Sequence, residues 1–427
     1  MPPRRRPVIK EHKVSNETNS RGLPLAGIRV LDMSQYEAGA ACTEVLAWLG
    51  ADVVKVENPK GGDPGRRSYK DESDADSWYF LLFNANKKSI TIDAKSPDGL
   101  ALIKSLAAKA DIFVENFAPG VIERLGLGPD VLREINPRLI YSQIKGFGRG
   151  SANEQTLAFD MIAQAAAGLT SITGFAGGPP VRLGVTLGDT GTGMLLAISI
   201  LAALHRRANT GHGEHLHVAM QDAMLHYNRI GFSAQALRGK AAARVGNKLV
   251  SGANPPCGLY HCKPFGANDY ICVYTSHNNP DHWRRVLEVI GRSDLIGDPR
   301  YSTHAARVEH EAEIDDLIST WAAHHDKYEA EKLLGSAGIP AGAVRDTQEL
   351  HNDANFEQRG IMQWVDHPQR GRFKMPGWPV QHDGATTEIH AAPLLGENAD
   401  AVLADWLGAG PNETAAEESQ YEGDAKQ

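Results

Sequence analysis

The sequence predicts an α/β fold: a large domain built on a parallel sheet with helices on both faces, and a smaller α+β domain. Three observations carry this expectation. Short apolar strands alternate with helical segments between residues 27 and 145, the pattern of βαβ units. Composition shifts after about residue 225, into a stretch rich in Gly, Pro and Asn. A chain of 427 residues is also longer than one hydrophobic core ordinarily organises, so two domains are the default.

The elements follow in order. Residues 1–22 hold Pro, Arg, Lys and Asn without periodicity and read as a disordered tail. Residues 27–33 form an apolar strand. Residues 38–49 place Cys42, Val45, Leu46 and Leu49 at helical spacing; Gly50 ends that helix and 51–57 is the next strand. A Gly/Pro loop, 58–67, follows. Then come strand 89–93, helix 97–109, strand 111–116, helix 121–125 and strand 139–145. A helical segment at 159–169 and a long apolar helix after Asp189 complete the large domain's first part, 23–224. The smaller domain, 225–338, holds an irregular stretch at 244–262, a strand at 270–275 and amphipathic helices at 280–290 and 311–323. Residues 339–410 show few elements of their own and are expected to return to the large domain. Residues 411–427 read as an acidic disordered tail.

Composition narrows the function. Hydrophobic residues at 42% and charged residues at 22% fit a soluble globular protein. A net charge of −8 argues against a nucleic-acid partner. The longest apolar run, 194–204, stops at His205-Arg206-Arg207, short of membrane-spanning length, and no secretory signal opens the chain. Cys42, Cys257, Cys262 and Cys272 are too few for a disulfide framework, so a reducing cytoplasm is expected. The βαβ opening that ends in Glu57 invites a dinucleotide. The turn Ser34 to Cys42, however, holds one glycine where a G-x-G-x-x-G signature is needed. No Walker loop appears. Cys257 and Cys262 lack a second pair at zinc spacing, and an exposed strand face accounts for His215 and His217, so no metal is expected.

Asp189 is the most telling residue. It stands in Leu187-Gly188-Asp189-Thr190-Gly191-Thr192-Gly193, ahead of the apolar run. On local sequence alone it is most simply the cap of a helix starting near Thr190. The glycines would also leave its carboxyl group open, and a desolvated, uncrowded carboxylate can attack an acyl carbon or accept a proton.

The rest of the chain decides between these readings. LGADVVKVE at 49–57, NANKKSITID at 84–93, VENFAPG at 114–120, Gly188-Asp189, VAMQDA at 218–223 and APLLGE at 392–397 occur in one order. With them the chain, from about residue 23 to residue 407, resembles the family III (formyl-CoA:oxalate type) CoA-transferases. The resemblance implies a Rossmann-like large domain assembled from both ends of the chain, a small domain, and an interlaced homodimer. It implies coenzyme A, as acyl-CoA, and a carboxylic acid as substrates. Asp189 would be the nucleophile, passing through a mixed anhydride and an aspartyl-CoA thioester, with Glu37 and Asp160 beside it. Backbone N–H groups near the glycines would steady the oxyanions. Ala38, Ile92, Lys95, Asn116, Phe117, Arg124, Leu125 and Met220 would contact CoA, with Lys95 and Arg124 at phosphates. Without the resemblance, Lys95 and Arg124 read as solvated charges, and Phe117 and Met220 as core packing.

Departures from the pattern bear on the substrate. Glu37 stands where formyl-CoA transferases carry a glutamine, and a carboxylate donates no hydrogen bond unless protonated. Phe159 replaces an aromatic hydroxyl, Leu157 a basic residue and Asn58 an arginine. The stretch 252–258, GANPPCG, replaces a glycine-rich lid and is stiffened by its prolines. Formyl-CoA and oxalate therefore carry over less firmly than the reaction type. Two alternatives stand. A 2-methylacyl-CoA racemase would need a proton carrier where this chain has Phe159. A non-catalytic acyl-CoA-binding protein would not need Asp189.

Overall fold

The computed structural model describes residues 22–69, 71, 74–276 and 278–408; all but Gly22 of the two expected disordered tails lies outside them. Six parallel strands form the main sheet: β1 (Arg29–Asp32), β2 (Asp52–Glu57), β3 (Lys88–Thr91), β4 (Ile112–Glu115), β5 (Ile140–Lys145) and β6 (His215–Ala219), in the order β3-β2-β1-β4-β5-β6. The alternation of apolar runs and helices read from the sequence is this sheet. Successive residues point to opposite faces. Val30, Val53, Ile112 and Ile140 thus join one core, with the helices Ala38–Trp48 and Leu187–Thr210. Leu31, Val54, Phe113 and Tyr141 join another, under the helices Pro97–Lys109 and Ala399–Leu407.

The strand order reverses between β1 and β4. Open α/β sheets form their ligand crevice at such a point, outside the carboxyl ends of the strands. The segments that follow β1 (33–37) and β4 (116–120) therefore converge there.

The helix Leu187–Thr210 begins before Asp189, not after it. By length and hydropathy alone it could cross a membrane, and it extends past the arginines where the apolar run stops. Here it is a core element: Leu196, Ala197, Ile200 and Ala203 are buried with the helix Ala38–Trp48. The two helices touch backbone to backbone. A Cβ on Gly193 would sit 2.6 Å from the Ala38 carbonyl oxygen and 3.1 Å from the Cys42 nitrogen. At the far end Arg207 Nη2 donates to Asp111 Oδ1 at 2.7 Å.

A second sheet, β7 (Cys257–His261), β8 (Tyr270–Tyr274) and β9 (Ala341–Ala343), is antiparallel in the order β7-β8-β9. It packs with the helices Pro280–Val289, Glu311–Ala322 and Lys327–Ser336 around its own core, which includes Ile271, Val286, Ile318 and Leu334. The C-terminal stretch has more structure than expected: an antiparallel hairpin, β10 (Met362–His367) with β11 (Gly371–Pro376), and the helix Ala399–Leu407. That helix packs on the main sheet, where Trp406 Nε1 donates to Asp52 Oδ2 at 2.8 Å.

Candidate active site

The segment after β1 is held by its backbone. Asp32, fully buried, accepts hydrogen bonds from the Ser34 N–H (2.8 Å), Ser34 Oγ (2.5 Å) and Thr43 Oγ1 (2.6 Å). Burial works against its charge, but Lys55 and Lys87 hold its carboxyl below the ordinary range. Lys55 Nζ donates to the Ser34 carbonyl at 2.8 Å and pairs with Asp63 at 2.8 Å; Asp63 Oδ1 in turn accepts from the Tyr36 N–H at 3.0 Å. The Asn116 amide grips Gln35 on both sides, accepting from its N–H at 2.7 Å and donating to its carbonyl at 2.8 Å. These bonds sustain Tyr36 at a left-handed φ of 58°, a conformation that costs a non-glycine residue about 1 kcal/mol.

The segment after β4 is held in the same way. Glu115 Oε2 accepts from the Phe117 N–H at 2.9 Å, and Lys145 Nζ donates to the Phe117 carbonyl at 2.8 Å. Lys145 and Glu115 pair at 2.8 Å in the interior. Burial pushes the Glu115 carboxyl up, against the pull of Lys145.

Glu37 occupies the N-cap position of the helix Ala38–Trp48 but makes no capping bond there. Its carboxyl faces the crevice, where Oε2 accepts from the Tyr79 hydroxyl at 3.2 Å and Oε1 from Thr186 Oγ1. Burial raises it above the ordinary carboxylate range, and Asp160 adds to this. Asp160 is engaged from two directions: Oδ1 accepts from the Gly188 N–H at 2.7 Å, and Gln164 Nε2 lies 3.0 and 2.8 Å from the two oxygens.

Asp189 lies in the first turn of its helix, after the N-cap Thr186, so the capping reading is overturned. Its carboxyl is pushed up to about 8, first by burial and then by the charges of Glu37 and Asp160. No group among the described residues donates a hydrogen bond to it. The neighbouring glycines also serve close packing. Gly188 lets Asp160 close in, since a Cβ there would lie 2.7 Å from Asp160 Oδ1, and Gly193 admits the crossing helix. The Gly188 N–H is bound to Asp160 and is no oxyanion donor. The N–H groups of Ala38, Gly39 and Ala40, at the start of the helix beside Glu37, have no acceptor among the described residues, and Ala38 lines a cavity with Asp189.

Three adjoining cavities meet here. The first, about 300 Å³, is lined by Glu37, Ala38, Asn116, Phe117, Asp189 and Met220 among others. The second, about 230 Å³, includes Ile92, Lys95, Phe117 and Leu125; Gln35 and Phe117 wall both. The third, about 670 Å³, shares Tyr36, Glu37, Phe159 and Asp189 with the first and adds Asp160, Tyr79 and Thr186. The sequence-derived site residues are thus brought together, with one exception. Arg124 is exposed and lines none of the three. Its guanidinium lies near Gly120, 2.8 Å from where a Cβ there would be, on a one-turn helix, Val121–Arg124, that turns Val121 and Leu125 inward instead.

Sequence reasoning missed Tyr79, Thr186 and Lys145. Lys145 had a usable signal, its place at the carboxyl end of an expected strand; the other two are joined to the site only by the folded chain. Residues 252–258 line none of these cavities. His215 and His217 are half-buried rather than exposed, and His215 Nε2 lies 2.9 Å from Gln143 Oε1. Burial and Arg149 lower His215 to about 4. No group of His, Cys, Asp or Glu among the described residues is placed to hold a metal.

Comparison with known proteins agrees with this geometry. The model of CoA-transferase family III matches residues 25–399. The formyl-CoA:oxalate CoA-transferase of Streptomyces avermitilis is 39% identical over 402 residues, covering 91% of this chain and 97% of that one. The protein of that name from a strain of Rhodopseudomonas palustris is 37% identical over 408 residues, covering 92% and 95%. Among solved structures, a CAIB/BAIF family protein from Brucella suis superposes with a TM-score of 0.79 at 28% identity, over 90% of this chain and all of the other. Rv3272 from Mycobacterium tuberculosis gives 0.75 at 29%, over 89% and 99%. A family match of this extent, with relatives at this identity along nearly their whole length, settles the assignment: the chain belongs to CoA-transferase family III and is an enzyme of CoA thioesters.

Proposed function

We propose that the protein moves CoA from an acyl-CoA donor to a carboxylic acid, with Asp189 as the covalent relay. The observation that carries this reading is the Asp189 carboxyl at the junction of two cavities, with no hydrogen-bond donor on it among the described residues. A carboxylate stripped of donors and partly desolvated is a strong oxygen nucleophile once ionised.

In the proposed reaction an Asp189 oxygen attacks the thioester carbon, the C–S bond breaks, and CoA leaves as the thiolate from a mixed anhydride. The thiolate then attacks the Asp189 carbonyl carbon and expels the donor carboxylate, leaving an aspartyl-CoA thioester. The acceptor carboxylate attacks that thioester and releases the thiolate, which attacks the acceptor's acyl carbon and frees Asp189. No net proton is consumed. The first cavity would take the pantetheine arm beside Met220 and Phe117, and the second, with Lys95 at its mouth, the nucleotide end. Gln35 and Phe117 form the neck between them. Glu37, raised by burial, would donate a hydrogen bond when protonated. The N–H groups of Ala38, Gly39 and Ala40 would favour the oxyanion at a helix N-terminus.

The same reading includes a Rossmann-like domain of 23–224 completed by the C-terminal stretch, a small domain that runs from 225 past the expected 338 to take in β9 (Ala341–Ala343), and an interlaced homodimer in the cytoplasm. Exposed Phe175, Ile198, Ile230, Phe232 and Leu237 support burial against a second copy, and four free cysteines suit a reducing compartment. The relatives' names point to formyl-CoA and oxalate as one substrate pair.

Hydroxylamine added during turnover tests the proposal. It should convert Asp189 to a hydroxamate detectable by peptide mass spectrometry, and Asp189→Ala should lose both label and transfer. Exchange of the substrate α-proton with solvent and no label would show a racemase; neither label nor exchange would show a binding protein.

A further inference from the structure

The third cavity holds features that the CoA arm does not use. Two aromatic groups line it together with Asp189. In one, Tyr79 stacks obliquely with the exposed Tyr69 (5.7 Å between centroids) and edge-on with Phe83 (5.4 Å); in the other, Tyr36 meets the exposed Phe159 edge-on at 6.0 Å. The volume, about 670 Å³, equals that of about twenty liquid waters at ~30 Å³ each, several times what a two-carbon acid displaces. Among the described residues the lining carries three carboxyl groups, Glu37, Asp160 and Asp189, and one cation, the exposed Arg182. Among the described residues Arg182 has no ion pair or hydrogen bond through its guanidinium. Its backbone is nevertheless fixed on both sides: the Val181 N–H donates to the Thr173 carbonyl at 3.0 Å, and the Leu183 N–H to Gln164 Oε1 at 3.0 Å.

An acid entering beside Glu37 and Asp160 needs a cation for its carboxylate, and one guanidinium fork matches one carboxylate. A second carboxylate on the same molecule would face the two acids without a counter-charge. We propose that the acceptor is a monocarboxylic acid with an aromatic or similarly bulky apolar body, that Arg182 grips its carboxylate, and that the two aromatic groups take its body. This rests on the reading of Asp189 as the acylated residue, and it departs from the oxalate of the relatives' names.

The test uses exchange of labelled acid into its own CoA ester, with phenylacetate/phenylacetyl-CoA and oxalate/oxalyl-CoA as the two probes. Phenylacetate should exchange with at least about tenfold higher kcat/KM than oxalate, and Arg182→Met should raise the phenylacetate KM about tenfold with a much smaller change in kcat, as expected when a charge-assisted grip is lost. Arg182→Lys should recover part of the loss, and the melting temperature of each variant controls for folding. Faster exchange of oxalate, or a phenylacetate KM that stays within about twofold in Arg182→Met, would overturn the inference. Hydroxylamine labelling of wild-type Asp189 separates the two levels. Label together with either adverse result sinks this inference alone; no label from either donor sinks the underlying reading as well.

Discussion

Replacing Asp189 with Asn should make the protein more stable at neutral and alkaline pH. In the unfolded chain this carboxyl ionises near its ordinary value of 3.8, whereas in the fold it is pushed up to about 8, first by burial and then by Glu37 and Asp160. The folded state therefore holds the proton more tightly. The stability this contributes is fully present below the unfolded value and is lost as pH rises through the folded one. At about 1.4 kcal/mol per tenfold change in proton concentration, the full span amounts to roughly 5–6 kcal/mol. The half-buried site admits water, which screens the charge and reduces the expected effect to about 2–3 kcal/mol. A carboxylate in the first turn also gains about 0.5 kcal/mol from the helix N-terminus, which Asn forgoes. The net expectation is a variant more stable by about 2 kcal/mol above about pH 8, with the difference closing toward about pH 4. Urea unfolding of both proteins across that range would measure it. A difference that does not change with pH, or an Asn variant that is less stable at the alkaline end, would refute the assignment of an energetically strained carboxyl.

Two further outcomes follow from the same site. Glu37→Gln removes a charge that raises Asp189, so the acid limb of the kcat/KM profile should move down by about one pH unit; a limb that stays in place would show that the two groups are not coupled. Asn116→Ala removes both bonds to Gln35 and frees the Tyr36 backbone. It should cost about 1–2 kcal/mol in denaturant unfolding and raise the acyl-CoA KM about tenfold. An unchanged KM would remove Gln35 from the neck.

The parallel sheet was legible because its strands are continuous apolar runs set off by Gly and Pro, as burial on both faces demands. The hairpin β10–β11 was not. It is covered on one side only, and Arg372 and Lys374 break its apolar pattern. Of the site, Asp189, Asn116 and Met220 lie within local motifs, and Glu37 in the turn after the first strand, so the sequence points to them. Thr186 could not be read: its contact with Glu37 spans 149 positions of chain, and no periodicity reports such a distance. Tyr79, in an aromatic run, is joined to Glu37 over 42 positions and is hidden for the same reason. Arg124, named from the resemblance alone, stands exposed on the short helix whose Val121 and Leu125 line the second cavity. The glycines around Asp189 have a packing role at Gly188 and Gly193 that the sequence does not report, because a missing Cβ looks the same in a sequence whether it makes room for a ligand or for a neighbouring element.

The backbone contact at Gly193 and the Arg207 anchor together leave the helix that bears Asp189 no room to shift toward an ill-fitting substrate. Divergence toward new acids must then be carried by the rim, where Ser68, Phe159 and Arg182 stand on irregular chain and can be exchanged without unseating the interior. In such a protein the reaction is inherited with the core, while substrate choice drifts at the edge.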